Sequence, residues 1–234
     1  MTATSQQNGA DSSPRQTRPR WLTALVTVMA LMAAALLGAT GGLFLAGPFG
    51  ERSQEPGPVE VGFAQDMAAH HRQGVEMANV ALQRTTNPEI RQIAFDITST
   101  QTEQMGRMRG WLALWSKPMR PTGDRMSWMS DSKSPSNEDV TSNAASMPGM
   151  ASGAELDRLR SLSGAQMETY FLRLMIRHHQ GGAPMMRTVI ERAEFGAVRN
   201  LAQQMLIAQT TEVESMKQML AERDAAPLPG PIPE

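Results

Sequence analysis

The sequence contains no cysteine, which excludes disulfides, thiolate metal sites, a cysteine nucleophile and a lipid-modified cysteine. Any metal must therefore be held by His, Met, carboxylate or backbone oxygen. Aromatic residues make up only 5% of the chain, and charge is both sparse and balanced, at 19% charged residues and a net charge of −1. Neither the basic footprint of a nucleic-acid partner nor an acidic sink is present, so no nucleic-acid partner is expected. Histidine is scarce as well, with four residues, whereas methionine is abundant, with 19 among 234. Methionine fills gaps in cores and is also a soft thioether ligand, so the excess has two readings.

Residues 1–20 are polar and rich in Ser, Gln, Thr and Pro, a composition expected to be disordered, and they carry Arg15, Arg18 and Arg20. From Trp21 to Ala46 no residue is charged. As a helix that run spans roughly 39 Å, enough for a hydrocarbon core of about 30 Å. The arginines precede it and Glu51, Glu55 and Glu60 follow it. The positive-inside rule then keeps the N-terminus cytoplasmic and puts the remainder outside. A single-pass anchor over 21–46 is the expectation; a signal peptide cleaved near Ala39-Thr40-Gly41, leaving a secreted protein, is the rival. Residues 47–58 form a Gly/Pro linker, and residues 223–234, with their Pro-rich end, are expected to be a flexible tail.

Beyond the linker the chain repeats itself. A shift of 108 positions aligns 63–112 with 171–220 without a gap. Phe63 falls on Phe171, Met67 on Met175, His70-His71 on His178-His179, Gly74 on Gly182, Met77 on Met185, Arg91 on Arg199 and Gln101 on Gln209. Such a match marks a duplication. In each copy Phe, Met, His, Gly and Met step by four and three, the seam of a bundle helix. Asn87-Pro88 supplies a cap and an N1 proline for a second helix, and Phe195-Gly196 breaks the chain at the equivalent place. Ser163 and Gln166 read as a capping box, and Pro184 predicts a kink just after the second histidine pair. The expected architecture is all-α: a four-helix bundle over 59–222 made of two duplicated helical hairpins. Between them lies an inserted loop, 117–154, rich in Met, Ser and Pro and carrying Met119, Met126, Met129, Met147 and Met150. A loop of that length is either disordered or functional.

The chemistry gathers on the seam. All four histidines sit in the two aligned pairs, His70-His71 and His178-His179, and Met67 and Met175 stand one turn before His71 and His179. Antiparallel packing within each hairpin puts Gln101, Glu103 and Gln104 level with His70, and Gln209 and Glu212 level with His178. These five are candidate hydrogen-bond partners of the histidines. Thioethers are poor ligands for zinc, iron(III), calcium and magnesium but good ones for copper(I) and silver(I), and imidazole suits copper. Di-iron bundles carry Glu-x-x-His; here Met67-x-x-His70 and Met175-x-x-His178 carry Met in place of Glu, twice, which argues for a softer metal. A di-iron or di-manganese oxidase on the same bundle, and a metal-free interaction or sensory bundle, are the alternatives. With an unperturbed imidazole pKa of about 6.5, metal affinity is expected to fall as pH drops through roughly 6.

The stretches from Gly62 to Ala78 (GFAQDMAAHHRQGVEMA) and from Phe171 to Met186 (FLRLMIRHHQGGAPMM) resemble the domain-of-unknown-function 305 family. The resemblance covers about residues 59–222. It implies a ferritin-like fold, export from the cytoplasm, and copper or silver binding in tolerance or handling. The residues themselves lead to the expectation of a binding protein and not an enzyme. Carried over by position, it points to Met67, His70, His71, Met77, Met175, His178, His179 and Met185 as metal ligands. Pro184 and Met186 depart from the usual family pattern.

The anchor carries a direct prediction. The natively expressed protein is expected to keep its uncharged run, so mass spectrometry should find an N-terminus upstream of residue 21. A mature N-terminus between residues 40 and 60 would mean that the segment is a cleaved leader.

Overall fold

The computed structural model describes residues 55–130 and 147–230; the expected disordered N-terminus, the 21–46 anchor and most of the 47–58 linker lie outside the described residues. Helices α1 (Pro58–Arg84) and α2 (Pro88–Leu114) form the first hairpin. A 3-10 turn (Ser127–Met129) and a short helix α3 (Gly153–Ser161) lead to α4 (Gly164–Arg192) and α5 (Gly196–Ala221), the second hairpin. No strand occurs among the described residues, and none of the described helices is long and apolar enough to cross a membrane.

Local chemistry accounts for most boundaries. Asn87 caps α2 as expected, its Oδ1 accepting from the backbone N–H of Glu89 at 2.9 Å and of Ile90 at 3.1 Å. The capping box expected at Ser163 and Gln166 does not form, for the Ser163 side chain makes no cap bond. The box is built one element earlier, where Ser152 Oγ accepts from Glu155 N and Glu155 Oε2 accepts from Ser152 N. Helix α4 is assigned without a break through Pro184, and Thr188 Oγ1 donates to the Pro184 carbonyl at 3.1 Å.

Helix α1 packs on α2 and on α4, and α4 packs on α5. Two apolar cores result, one at each end of the bundle. The first gathers Met77, Ile90, Ile97, Phe171, Met175, Met216 and their neighbours. The second gathers Phe63, Met67, Met108, Leu112, Met185 and Met205 with Trp128. Each such side chain, fully buried, contributes roughly 1.5–3 kcal/mol. The histidines of the seam lie between these cores in the chain, so the polar layer interrupts the apolar interior at mid-height.

The duplication extends into contacts that the aligned residues alone do not display. Arg91 Nη2 donates to the Thr85 carbonyl at 2.5 Å, and its counterpart Arg199 donates to the Ala193 carbonyl at 2.6 Å, so each arginine fastens its own hairpin turn. Glu60 Oε1 accepts from Glu194 N at 2.5 Å and Phe195 N at 3.3 Å, capping the start of α5. Its counterpart Glu168 accepts from Thr85 Oγ1 at 2.6 Å, at the turn of the other hairpin. The two buried carboxylates thus lock each hairpin to the turn of its partner.

Two regions expected to be loose are held. Gln65 Nε2 donates to the Pro118 carbonyl at 2.7 Å, and Arg173, its repeat counterpart, donates through Nε to the Ala226 carbonyl at 2.7 Å. The tail after α5 is therefore the structural counterpart of the segment after α2, and Ala225 and Leu228 pack on the core. Within the inserted loop, Asp66 Oδ2 accepts from Met126 N at 2.8 Å and Trp128 Nε1 at 3.0 Å, seating the 3-10 turn on α1. At the far end Gln73 and Ala151 exchange two bonds, of 2.9 and 2.7 Å. The loop also ends sooner than expected, since α3 begins at Gly153.

Candidate metal centre

Steps of four and three bring His70, Gly74, His178 and Gly182 to the crossing of α1 and α4. There a Cβ on Gly74 would collide with the Gln101 carboxamide of its own hairpin, and a Cβ on either glycine would come up against an imidazole of the opposite repeat. A Cβ on Gly74 would stand 3.1 Å from His178 Cε1, and one on Gly182 would stand 3.4 Å from His70 Cε1. Each glycine is thus the floor beneath the imidazole of the other copy. The two rings meet with centroids 3.8 Å apart and planes inclined by 30°. His71 and His179 flank them, with centroids 6.5 and 6.1 Å from their neighbours. All four are buried, at 0–1% exposure.

Every imidazole is held by the same nitrogen. His70 Nε2 lies 3.2 Å from the Pro148 carbonyl, and His178 Nε2 lies 3.0 Å from the His70 carbonyl. A carbonyl only accepts, so both Nε2 atoms carry the proton. His71 Nε2 donates to Gln104 Oε1 at 2.7 Å, and His179 Nε2 donates to the Glu212 carboxylate at 2.6 Å. With Nε2 protonated, a neutral ring presents a bare lone pair at Nδ1. All four Nδ1 atoms are buried without a hydrogen-bond partner, as are both amide atoms of Gln101 and Oε1 of Gln209. An unsatisfied buried polar atom costs roughly 1–3 kcal/mol, and a set of them in one layer calls for a ligand. Metal-binding histidines are held in this way, the far N–H bonded to carbonyl or carboxylate and the near nitrogen free.

The thioethers flank this layer. Met67 and Met185 are buried in one core, and Met77 and Met175 in the other. Met186 joins the first pair: its Cε lies 3.7 Å from the Cβ position of Gly182, beside His70 Cε1 and Gln209 Oε1. The Met147-Pro148-Gly149-Met150 strap closes over the same point. Gly149 takes φ +80°, a left-handed turn that glycine permits, and a Cβ on Gly181 would collide with the strap backbone. Met147 is buried in the core that holds Met67. Sequence reasoning missed the strap's part in holding His70; the adjacent glycines Gly181-Gly182 were its signal. A groove of about 940 Å³ between α4 and α5, roofed by Pro227–Gly230, is lined in part by His179, Met186 and Gln209, all three of them buried.

Four of the five expected polar partners lie in the layer and one does not. Gln104 and Glu212 hold histidines, and Gln101 and Gln209 are buried beside them. Glu103 points away into solvent and pairs with Arg107; the helix turns it one residue off the seam. Of the carboxylates near the seam, Asp66 is committed to the 3-10 turn, Glu76 to Arg160 and Glu103 to Arg107, and Glu212 alone reaches the layer, through His179. Among the described residues no three His, Asp or Glu side chains converge as one shell. A metal here must complete its coordination with thioether, amide or carbonyl groups, which suits a soft ion that accepts low coordination.

Burial dominates the electrostatics. It lowers His70 to about 4, opposed by the bond to Pro148, and lowers His71 to about 3, with the charge of His70 adding to the effect. His178 is pushed well below 6.5 by burial and then by the other three histidines. His70, His71 and His178 are held as neutral rings below the ordinary imidazole range, so protons compete with a metal at these three only at a pH lower than the expected window near 6.

The family model of DUF305, a domain of unknown function, matches residues 60–220. No curated protein matches the chain. The crystal structure of a candidate secreted DUF305 protein from Streptomyces coelicolor is 39% identical, with a TM-score of 0.65, and covers 73% of this chain and 96% of its own. A DUF305 fragment from Deinococcus radiodurans is 34% identical, with a TM-score of 0.58, covering 71% and 98% respectively. CopM in its Cu(I)-bound form is 24% identical, with a TM-score of 0.53, covering 70% and 96%, and shares the fold. CopM has also been solved with silver, with Cu(II) and in the apo form.

The lowered pKa values set the pH dependence of the metal-free bundle. In the unfolded chain these imidazoles gain protons as pH falls through about 6.5, whereas folded His70 stays neutral to about 4, His71 to about 3, and His178 is likewise held well below 6.5. Stability present above pH 6.5 is therefore lost on acidification, by up to about 1.4 kcal/mol per pH unit for each such histidine. Urea midpoints of the metal-free protein should fall steadily from pH 7 to 5. A flat profile would contradict the burial of neutral rings.

Proposed function

The chain belongs to the DUF305 family, and from that membership we propose that its bundle is an extracytoplasmic binding module for copper(I) or silver(I), serving metal handling or tolerance. One observation carries the reading: four buried imidazoles whose Nε2–H groups are all bonded while their Nδ1 lone pairs are all free. His70, His71, His178 and His179 offer nitrogen, no more than two of them to any one ion. Met67 and Met185 on one side, and Met77 and Met175 on the other, supply thioethers that favour the monovalent ion. Gln104 and Glu212 orient the flanking rings. The fold shared with a protein captured with copper and silver supports the choice of metal, and the candidate secreted relative supports the location. The uncharged run at 21–46 acts as a single-pass anchor that keeps the bundle outside the cytoplasm.

A metal-free interaction bundle would need the same layer to be satisfied internally. The bare Nδ1 atoms weigh against it.

Copper(I) titration against a competing chelator tests the reading. Changing His70 and His178 together to Ala is expected to weaken tight binding by at least a hundredfold, whereas removing residues 131–146 should leave it intact. Tight binding by the wild type should change little between pH 7 and 5. Silver at a hundred times its Kd should raise wild-type stability by about 2.7 kcal/mol. Absence of a shift at saturating silver would favour the metal-free bundle.

A further inference from the structure

The two hairpins descend from one unit, so each is a control for the other. Where the copies differ in charge at equivalent positions, the fold itself does not require that charge. Segment 118–121 lies over α1 and α2 as the tail lies over α4 and α5, held by the equivalent bonds from Gln65 and Arg173. Under the first segment is a pocket of about 330 Å³. Arg72, Arg109, Arg120 and Arg125 line it, together with Gln65 and Met119. The second copy has Gln180 where the first has Arg72, Leu228 where it has Arg120, and Lys217 where it has Arg109. Neutral residues thus serve at two of these positions.

The arginines are not used internally. Among the described residues the guanidinium groups of Arg72, Arg109 and Arg120 make no hydrogen bond or ion pair. Arg125 alone reaches a carboxylate, Asp66, at 3.5 Å, and Asp66 is already bonded to Met126 and Trp128. Like charges around one pocket repel, and an anion seated among them relieves that repulsion. The guanidinium fork matches the oxygens of a phosphate.

Met119, which lines the pocket, and Leu114, near the end of α2, are apolar and exposed. Leu114 is 81% exposed and Met119 48% exposed. Trp111 and Trp115 stack with centroids 6.1 Å apart, and Trp115 meets Phe195 at 5.4 Å, so that pair packs toward α5 and the core. Exposed aliphatic groups beside unpaired arginines suit a surface that meets lipid headgroups. Helix α1 begins at this same end, since α1 and α2 are antiparallel, and residue 46, where the uncharged run stops, lies 12 positions before Pro58. At about 3.4 Å per residue such a connection reaches no more than roughly 40 Å.

We propose that the pocket formed by Arg72, Arg109, Arg120 and Arg125 binds a phosphate-bearing anion, and that its source is the headgroup of an anionic phospholipid. Free phosphate shares the recognition chemistry. Bound lipid would seat the α1-start end of the bundle against the bilayer, independently of whether the histidine layer holds a metal.

Calorimetric titration of the full chain in neutral detergent, at low salt, tests this with three probes: dihexanoyl phosphatidylglycerol, dihexanoyl phosphatidylcholine and inorganic phosphate. Phosphatidylglycerol is expected to bind at least tenfold tighter than phosphatidylcholine, and more weakly as salt rises. Arg72→Gln, Arg109→Gln and Arg120→Gln together should weaken it at least tenfold. Lys217→Gln, in the other copy, should leave it unchanged. The single change Arg120→Gln, whose counterpart is leucine, gives a smaller loss in the same direction should the triple variant fold poorly. Phosphate binding as tight as the lipid would assign the same pocket to the soluble anion. Equal binding of the two lipids, no binding of any probe, or full affinity in the folded triple variant would overturn the proposal.

Discussion

Four buried imidazoles, packed between two apolar cores with each Nε2 engaged and each Nδ1 without a partner, are the constraint on which the rest of the structure depends. Buried polar groups are tolerated when bonded, and a half-satisfied layer is the most expensive arrangement an interior can hold. Much of the fold serves to hold that layer in place. Gly74 and Gly182 let the rings approach the opposite helix, Gln104 and Glu212 turn the outer pair, and the strap at Pro148 fixes His70 from above. Soft thioethers flank it on both sides. The arrangement makes chemical sense as a site stabilised by its ligand, for binding to the native state alone adds directly to its stability.

Duplication explains how so polar a layer is built with few parts. One hairpin supplies two histidines and the carboxamide that steadies one of them. A second copy supplies the counterparts and, through Glu60 and Glu168, the reciprocal locks. The copies then diverged. Glu212 replaces Gln104, Met186 replaces Ala78, and a groove of the second copy is lined by His179 and Met186 while the pocket beside the first is lined by arginine. The two halves of a symmetric frame thus have different surroundings.

The four long helices, their antiparallel pairing and the grouping of the histidines were legible in the sequence, because the 108-residue shift and the three-four spacing report directly on helix faces. What escaped were contacts between elements far apart in the chain. Glu60 and Glu168 lie three positions before the aligned segment, and nothing local shows that each reaches the other hairpin's turn. The strap looked like an unstructured linker because its Ser, Pro and Gly content has no period; only the close approach at Gly181 explains its course. Glu103 and Gln104 are neighbours, and level arithmetic along a helix does not distinguish which of them turns inward. Ser163 offered the residues of a capping box, yet Gly164 at φ +54° turns the chain into α4 and the Ser163 hydroxyl makes no cap bond.

X-ray absorption at the copper edge of the protein loaded with one equivalent of copper(I) tests the central claim most directly. Bare Nδ1 atoms in a layer flanked by methionine-rich cores predict a low-coordinate shell containing both imidazole nitrogen, with its outer-ring scattering, and sulfur. Removing His70 and His178 should abolish the imidazole signal. A shell of sulfur alone, or of oxygen alone, would contradict the account and leave the histidine layer as packing.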